Sequence, residues 1–139
     1  MPVNRPATHG DLPRIWQVRH GTGENRLLDP SLVTDGEVAW YMSEAIFLVS
    51  EDADGLQGFI CANHQTAYVW ALFVIDGKQG AGHGSALLDA AIDRLRQRGH
   101  RQMFLTTGRD TRAEDFYRSR GFEAMGRSFG GEVVYRRLL

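Results

Sequence analysis

A strand that runs into a glycine-rich turn, and from there straight into an amphipathic helix, constrains this chain more than any other stretch. From Tyr68 to Ile75 the residues are apolar, β-branched or aromatic, which is the composition of a buried strand. The run stops at Asp76-Gly77, and glycines recur at 80, 82 and 84 before Ser85-Ala86-Leu87-Leu88. Glycine lets the backbone take conformations that a Cβ obstructs, and it leaves the N–H groups of the turn and of the first helical turn facing outward. The helix dipole adds partial positive charge at the same place. The unit reads as an anion cradle, most often used for phosphate. Two phosphate patterns are excluded. A P-loop needs G-x-x-x-x-G-K-[ST], but Gly77-Lys78 is followed by Gln79 and Leu72 stands where the first glycine belongs. The dinucleotide fingerprint G-x-G-x-x-G, counted from Gly80, ends on Ser85.

The 139 residues suffice for one domain with a real core and not for two, so residues 1–139 are read as a single domain. A net charge of −1 gives no electrostatic case for nucleic acid or for an anionic membrane. The basic cluster Arg94, Arg96, Arg98 and Arg101 reads as the solvated face and exit of a helix. The single cysteine, Cys61, rules out an internal disulfide, and its apolar neighbours Phe59-Ile60 and Ala62 mark a core thiol rather than a nucleophile. His9, His20, His64 and His100 lack metal-ligand spacing, so no metal is expected. No apolar run approaches a membrane span and the N-terminus has no apolar leader core; a soluble, cytoplasmic protein is the expectation.

Along the chain, Val3 to Pro6 reads as an edge strand. Thr8 or Asp11 caps a helix reaching about His20, with Pro13 near its start. Glu24 to Val33 is irregular. Thr34-x-x-Glu37 is a capping box that opens a second helix to about Glu44. Strands follow at Ile46–Ser50, Leu56–Ala62 and Tyr68–Ile75, antiparallel because their connections are short. Leu87, Leu88, Ala91, Ile92 and Leu95 form the buried stripe of a helix from about His83 to Arg98, with Gly99 past its end. Gln102–Thr107 is a strand, placed parallel to the previous one by the helical crossover. Thr111-x-x-Glu114 caps a short helix through Arg120, and Phe122–Arg127 and Val133–Leu138 close the chain across Gly130-Gly131. The expected class is α/β with a mixed sheet of six or seven strands and about four helices.

Gln79, Gly82 and Gly84 fit Q/R-x-x-G-x-G/A after a strand ending in Val74 and Asp76. Further on, Ala113, Tyr117, Gly121 and Phe122 fit N-x-x-A-x-x-x-Y-x-x-x-G-F, with Asp110 in place of the Asn. The two patterns, in this order, resemble those of the GCN5-related N-acetyltransferases, and the order of elements is similar over nearly the whole chain. The resemblance implies the acyl-CoA N-acyltransferase fold, with acetyl-CoA as co-substrate and a small-molecule or peptide amine as acceptor. It places the cofactor pyrophosphate on the N–H groups of Gln79, Gly80, Ala81, Gly82, His83, Gly84 and Ser85. The pantetheine then lies along Leu72, Phe73 and Val74, adding itself like a strand. A backbone N–H near Phe73 or Val74 polarises the thioester, and Tyr117 protonates the departing sulfur. Asp110 either caps its helix or lies near the cofactor; an ionised Asp only accepts hydrogen bonds, where Asn also donates. The His83 ring either helps with phosphate or points away.

The general base is not specified. Neither Leu72–Val74 nor Met103–Leu105 contains a carboxylate, which leaves Glu24, Glu132, a water relay, or attack by the free-amine fraction. Trp70 either walls the acceptor groove or packs in the core; Trp16 and Trp40 read as packing residues. Two other functions use the same features: a non-catalytic acyl-CoA sensor, which needs the glycine loop but not Tyr117, and an acyltransferase with a macromolecular acceptor. A homodimer is compatible with all of them.

Overall fold

The structure, a computed structural model, describes residues 2–21, 35–108, 111–128 and 130–139. The irregular stretch with Glu24, the Thr34 cap and Asp110 lie outside these residues. Seven strands form one sheet: β1 (Val3–Pro6), β2 (Ile46–Asp52), β3 (Gly55–Asn63), β4 (Tyr68–Val74), β5 (Gln102–Thr107), β6 (Glu123–Arg127) and β7 (Val133–Leu138). Their order across the sheet is β1-β2-β3-β4-β5-β7-β6. Four α-helices accompany it among the described residues: α1 (Leu12–Gly21), α2 (Asp35–Glu44), α3 (His83–Gln97) and α4 (Arg112–Ser119). The mixed sheet and the helices agree with the sequence reading. The last strand, however, inserts between β5 and β6 instead of extending the sheet.

β2 and β3 are buried on both faces, so they read as continuous apolar runs without alternation. Their side chains serve two cores. Leu48 and Ile60 point to one, with the α3 stripe Leu87, Leu88, Ala91, Ile92 and Leu95. Phe47, Phe59 and Cys61 point to the other, with Ile15 and Val18 of α1. Each fully buried Leu or Ile contributes about 2 kcal/mol, so the α3 stripe is the main anchor of the helix behind the glycine loop. Cys61 is a fully buried thiol, as its neighbours imply, and burial pushes its pKa up.

The N-terminal turn is tied to the sheet by charge. Arg5 donates from Nη1 and Nη2 to the two Asp11 carboxylate oxygens, 2.8 Å each, and from Nε to Glu51 at 3.0 Å. The Thr8 N–H also reaches Asp11 at 2.8 Å. Chiefly through Arg5, the Asp11 pKa falls from 3.8 to about 2. A depressed carboxylate adds stability that is complete above the unfolded value and disappears as the pH drops through the folded one. Asp11→Asn should therefore flatten the fall in Tm between about pH 4 and pH 2, at a cost of about 1 kcal/mol at neutral pH after solvent screening. Thermal melts of both proteins across that window check it.

One seam interrupts the sheet. β4 and β5 run parallel, but their ladder pairing is confined to Tyr68 and Phe104. The Phe104 N–H donates to the Ala67 carbonyl (2.9 Å), and the Tyr68 hydroxyl meets Thr106 Oγ1 (2.9 Å). Beyond this point β4 continues to Val74 without a β5 partner.

Candidate active site

The seam opens into a cleft of about 530 Å³. One wall is Leu72, Phe73 and Val74 of β4; the other is the face of α4 that carries Ala113, Phe116 and Tyr117. The end is closed by Gln79, Gly80, Gly82, Gly84 and Ser85. Gln79, Gly82 and Gly84 of the first pattern thus meet Ala113 and Tyr117 of the second across the cleft, with 29 residues from Gly84 to Ala113.

The backbone of the end wall follows from its glycines. Gly80 and Gly82 sit at φ of 85° and 93°, in the left-handed region that residues with a Cβ avoid. Gly82 is the N-cap of α3 and supplies no capping side chain, so the first turn of α3 has no side-chain acceptor for its N–H groups at the cleft. At Gly84 an added Cβ would lie 3.6 Å from the Phe116 ring, an ordinary van der Waals contact that marks where α4 meets the start of α3. Two cations reach the loop from α4 and its exit. Arg112 bonds to the Gln79 side-chain oxygen, and Arg120 bonds to Ser85 Oγ while lying 5.7 Å from the Phe116 ring centre. The sequence reading missed both arginines. A signal was available for Arg112: the Thr111 cap places it at the first position of α4, the end that turns toward the cleft.

Strand alternation sorts the backbone groups of β4. The Ile75 N–H donates to Gln57 of β3 (2.9 Å), and the Phe73 carbonyl faces Gly58 of the same strand. Successive residues point to opposite sides, so the amides of Leu72 and Val74 face the cleft and that of Phe73 faces β3.

Of the two orientations open to the His83 ring, the structure shows the one turned away from the cleft. The His83 imidazole is 1% exposed and turns away from the cleft: Nδ1 shares a hydrogen bond with the Ser50 hydroxyl at 2.7 Å, and Nε2 donates to the Asp52 carboxylate at 3.2 Å. Asp52 is held well below the usual carboxylate range, first by the Asp54 N–H and then by Lys78 and His83. His83 therefore pins the start of α3 to β2. The Ala81 side chain is exposed and is not among those that line the cleft.

Thr111 caps α4, its hydroxyl accepting from the Glu114 N–H (3.3 Å). This cap directs Tyr117 inward. Tyr117 is 7% exposed and packs edge-on against Phe116 and Phe122. Its hydroxyl has no hydrogen-bond partner among the described residues, and burial pushes its pKa up, which keeps the proton on oxygen. Of the carboxylates considered as a base, Glu132 is exposed beside the β6–β7 turn and does not line the cleft, and Glu24 lies outside the described residues. Among the described residues no group of three His, Cys, Asp or Glu is placed to hold a metal, and no helix is long and apolar enough to cross a membrane.

Residues 30–134 match the sequence pattern of the Acetyltransferase (GNAT) domain. Mycothiol acetyltransferase of Beutenbergia cavernae is 34% identical over 100 residues, covering 68% of this chain and 33% of that protein. The chain thus spans about a third of the length of that curated relative. Solved structures share the fold over the whole chain at low identity. An acetyltransferase of the GNAT family from Staphylococcus aureus superposes with a TM-score of 0.83 at 18% identity, covering 100% of this chain and 99% of the other. The PaiA N-acetyltransferase of Thermoplasma acidophilum, in complex with coenzyme A, gives 0.79 at 16%, with 100% and 99% covered.

Proposed function

Because the chain belongs to the GCN5-related N-acetyltransferase (GNAT) family, we propose that it transfers an acetyl group from acetyl-CoA directly to a primary amine. The observation that carries this reading is the cleft itself. It links an uncapped helix start, fit for a pyrophosphate, to a buried phenol on the opposite wall. Acetyl-CoA supplies the acyl group as an activated thioester, and the chain supplies the rest. The N–H groups from Gly80 to Ser85 and the Arg112 and Arg120 cations hold the pyrophosphate. The β4 edge at Leu72 and Val74 orients the pantetheine amides. An N–H on that side of β4 meets the oxygen that gains charge as the amine attacks, so the oxyanion donor is Leu72 or Val74 and not Phe73. As the carbon–nitrogen bond forms and the carbon–sulfur bond breaks, Tyr117 gives its proton to the sulfur and regains one from solvent. The amine loses its proton to water. No covalent enzyme intermediate is needed, in keeping with the inaccessible Cys61.

The test is release of free thiol from acetyl-CoA in the presence of a panel of primary amines, with coenzyme A binding measured alongside by calorimetry. Turnover on any member supports transfer. Binding without turnover on small amines, peptides or proteins supports an acyl-CoA sensor instead. Failure to bind coenzyme A overturns the proposal.

A further inference from the structure

One carboxylate outside the cleft holds both ends of the glycine turn. Residues 79–82 are exposed, and Gly80 and Gly82 add backbone freedom with no side chain to anchor them. Gln79 bonds back to the Val74 carbonyl and to Asp76, both at a long 3.4 Å. The firmer tethers flank this segment. Lys78 donates from Nζ to Asp52 at 3.2 Å, and His83 donates from Nε2 to the same carboxylate oxygen at 3.2 Å. The His83 ring is buried and bonded to Ser50 as well, so the second tether is fixed in direction.

Asp52 is in turn held by groups that do not belong to the turn. Its other oxygen accepts from the Asp54 N–H at 2.8 Å and from Gln57 Nε2 at 3.3 Å, and Arg14 of α1 donates to Gln57 Oε1 at 3.1 Å. An ionised carboxylate accepts at both oxygens, so Asp52 gathers donors from β3, the glycine turn and α3 at one point. Charge and geometry oppose each other here. Asp52 repels a pyrophosphate, and so does Asp54, which takes Lys78 at 2.8 Å. With Lys78 committed to the two aspartates, the turn offers phosphate its backbone N–H groups. Such a cradle binds through direction, and its affinity depends on how still it is held before the ligand arrives.

Resting on the transferase reading, we propose that Asp52 is the positioning residue of the pyrophosphate turn and sets the preference of the protein for a nucleotide-bearing thioester over a bare pantetheine thioester. Preorganisation outweighs repulsion because Lys78 already offsets the Asp52 charge, whereas a turn released at both ends must be ordered again by each incoming cofactor.

The experiment compares kcat/KM for acetyl-CoA with that for S-acetylpantetheine, which keeps the thioester and the pantetheine amides and lacks the pyrophosphate, in wild type, Asp52→Asn and Asp54→Ala. Asparagine retains an oxygen for the Asp54 N–H and Gln57 and presents to Lys78 and His83 an amide nitrogen that cannot accept. Asp52→Asn should lower the acetyl-CoA value about tenfold and move the S-acetylpantetheine value by less than about twofold. Asp54→Ala leaves the Asp52 bonds in place and should move neither value by more than about twofold. An equal fall with both donors would mean a general loss of structure and overturn the proposal. An unchanged or higher acetyl-CoA value would mean that repulsion dominates, and a matching loss in Asp54→Ala would assign the effect to Lys78 alone; either result overturns it too.

Amide exchange in the unliganded proteins needs no turnover. The N–H groups of Lys78, Ala81 and Ala86, bonded to the carbonyls of Ile75, Lys78 and Gly82, should exchange about tenfold faster in Asp52→Asn, with β5 unchanged. Unchanged exchange at these three, or a rise across the whole sheet, rejects the clamp. If wild type binds coenzyme A and no amine reacts, transfer alone has failed, and calorimetry decides: binding of coenzyme A about tenfold weaker in Asp52→Asn supports the proposal, and equal binding overturns it. If wild type binds no coenzyme A, the transferase reading falls and takes the nucleotide preference with it.

Discussion

Tyr117→Phe should lower kcat by about 100-fold while the KM for acetyl-CoA stays within about twofold. The substitution removes one oxygen and keeps the ring that packs on Phe116 and Phe122, so the core is preserved and the loss reports on proton transfer. The hydroxyl has no partner among the described residues, and deleting it leaves no donor or acceptor stranded there. The pH dependence adds a second reading. Burial raises the phenol pKa above its ordinary value of 10, so an acid of this kind remains protonated at pH 10 and kcat should show no decline on its account up to that pH. Steady-state thiol release from pH 7 to 10 checks both points. Turnover unaffected by the substitution would leave the transferase and remove Tyr117 as its acid.

Gly58→Ala should cost about 2 kcal/mol, roughly 8 °C in Tm, and should weaken acetyl-CoA binding as well. A Cβ at this position would stand 2.9 Å from the Phe73 carbonyl oxygen, closer than real Cβ atoms come to backbone, and 3.2 Å from Val74 Cγ2. Neither neighbour is a flexible chain end that can swing aside. β3 and β4 must separate where they pair through Gly58 and Val74, and the same β4 residues wall the cleft. Gly10→Ala is the control: its nearest atom is 3.8 Å away, and the change in Tm should stay below about 2 °C. Differential scanning calorimetry with and without coenzyme A measures both effects.

The sequence patterns disclosed most of what is local in this protein. Gln102–Thr107 is observed at its expected bounds and α3 ends one residue earlier than expected, because a helical stripe and a terminal glycine are properties of a single segment. The Thr111 cap and the glycine turn were legible for the same reason. Three features were not, and each depends on pairs of residues far apart in the chain. The placement of β7 between β5 and β6 is a choice among edges that no local pattern encodes. The partners that hold the His83 ring, Ser50 and Asp52, are more than 30 residues away, so the sequence left the ring either on the phosphate or turned away and could not name what it turns to. The Arg120 contact with Ser85 belongs with these, since the helix exit and the loop meet only in the folded chain.

An open sheet ordinarily has two edges, and this one has four, because β4 and β5 part beyond Tyr68 and Phe104. Exposed edges are templates on which other chains add strands and aggregate. The outer pair is blunted in familiar ways: β1 is four residues long and ends in Pro6, and β6 carries an irregularity between Ala124 and Gly126. The inner pair has neither device and is protected by confinement. Phe116 and Tyr117 of α4 stand over it on one side and the glycine turn closes its end. The backbone most able to recruit a stray strand thus lies between α4 and the glycine turn and not at the rim of the sheet.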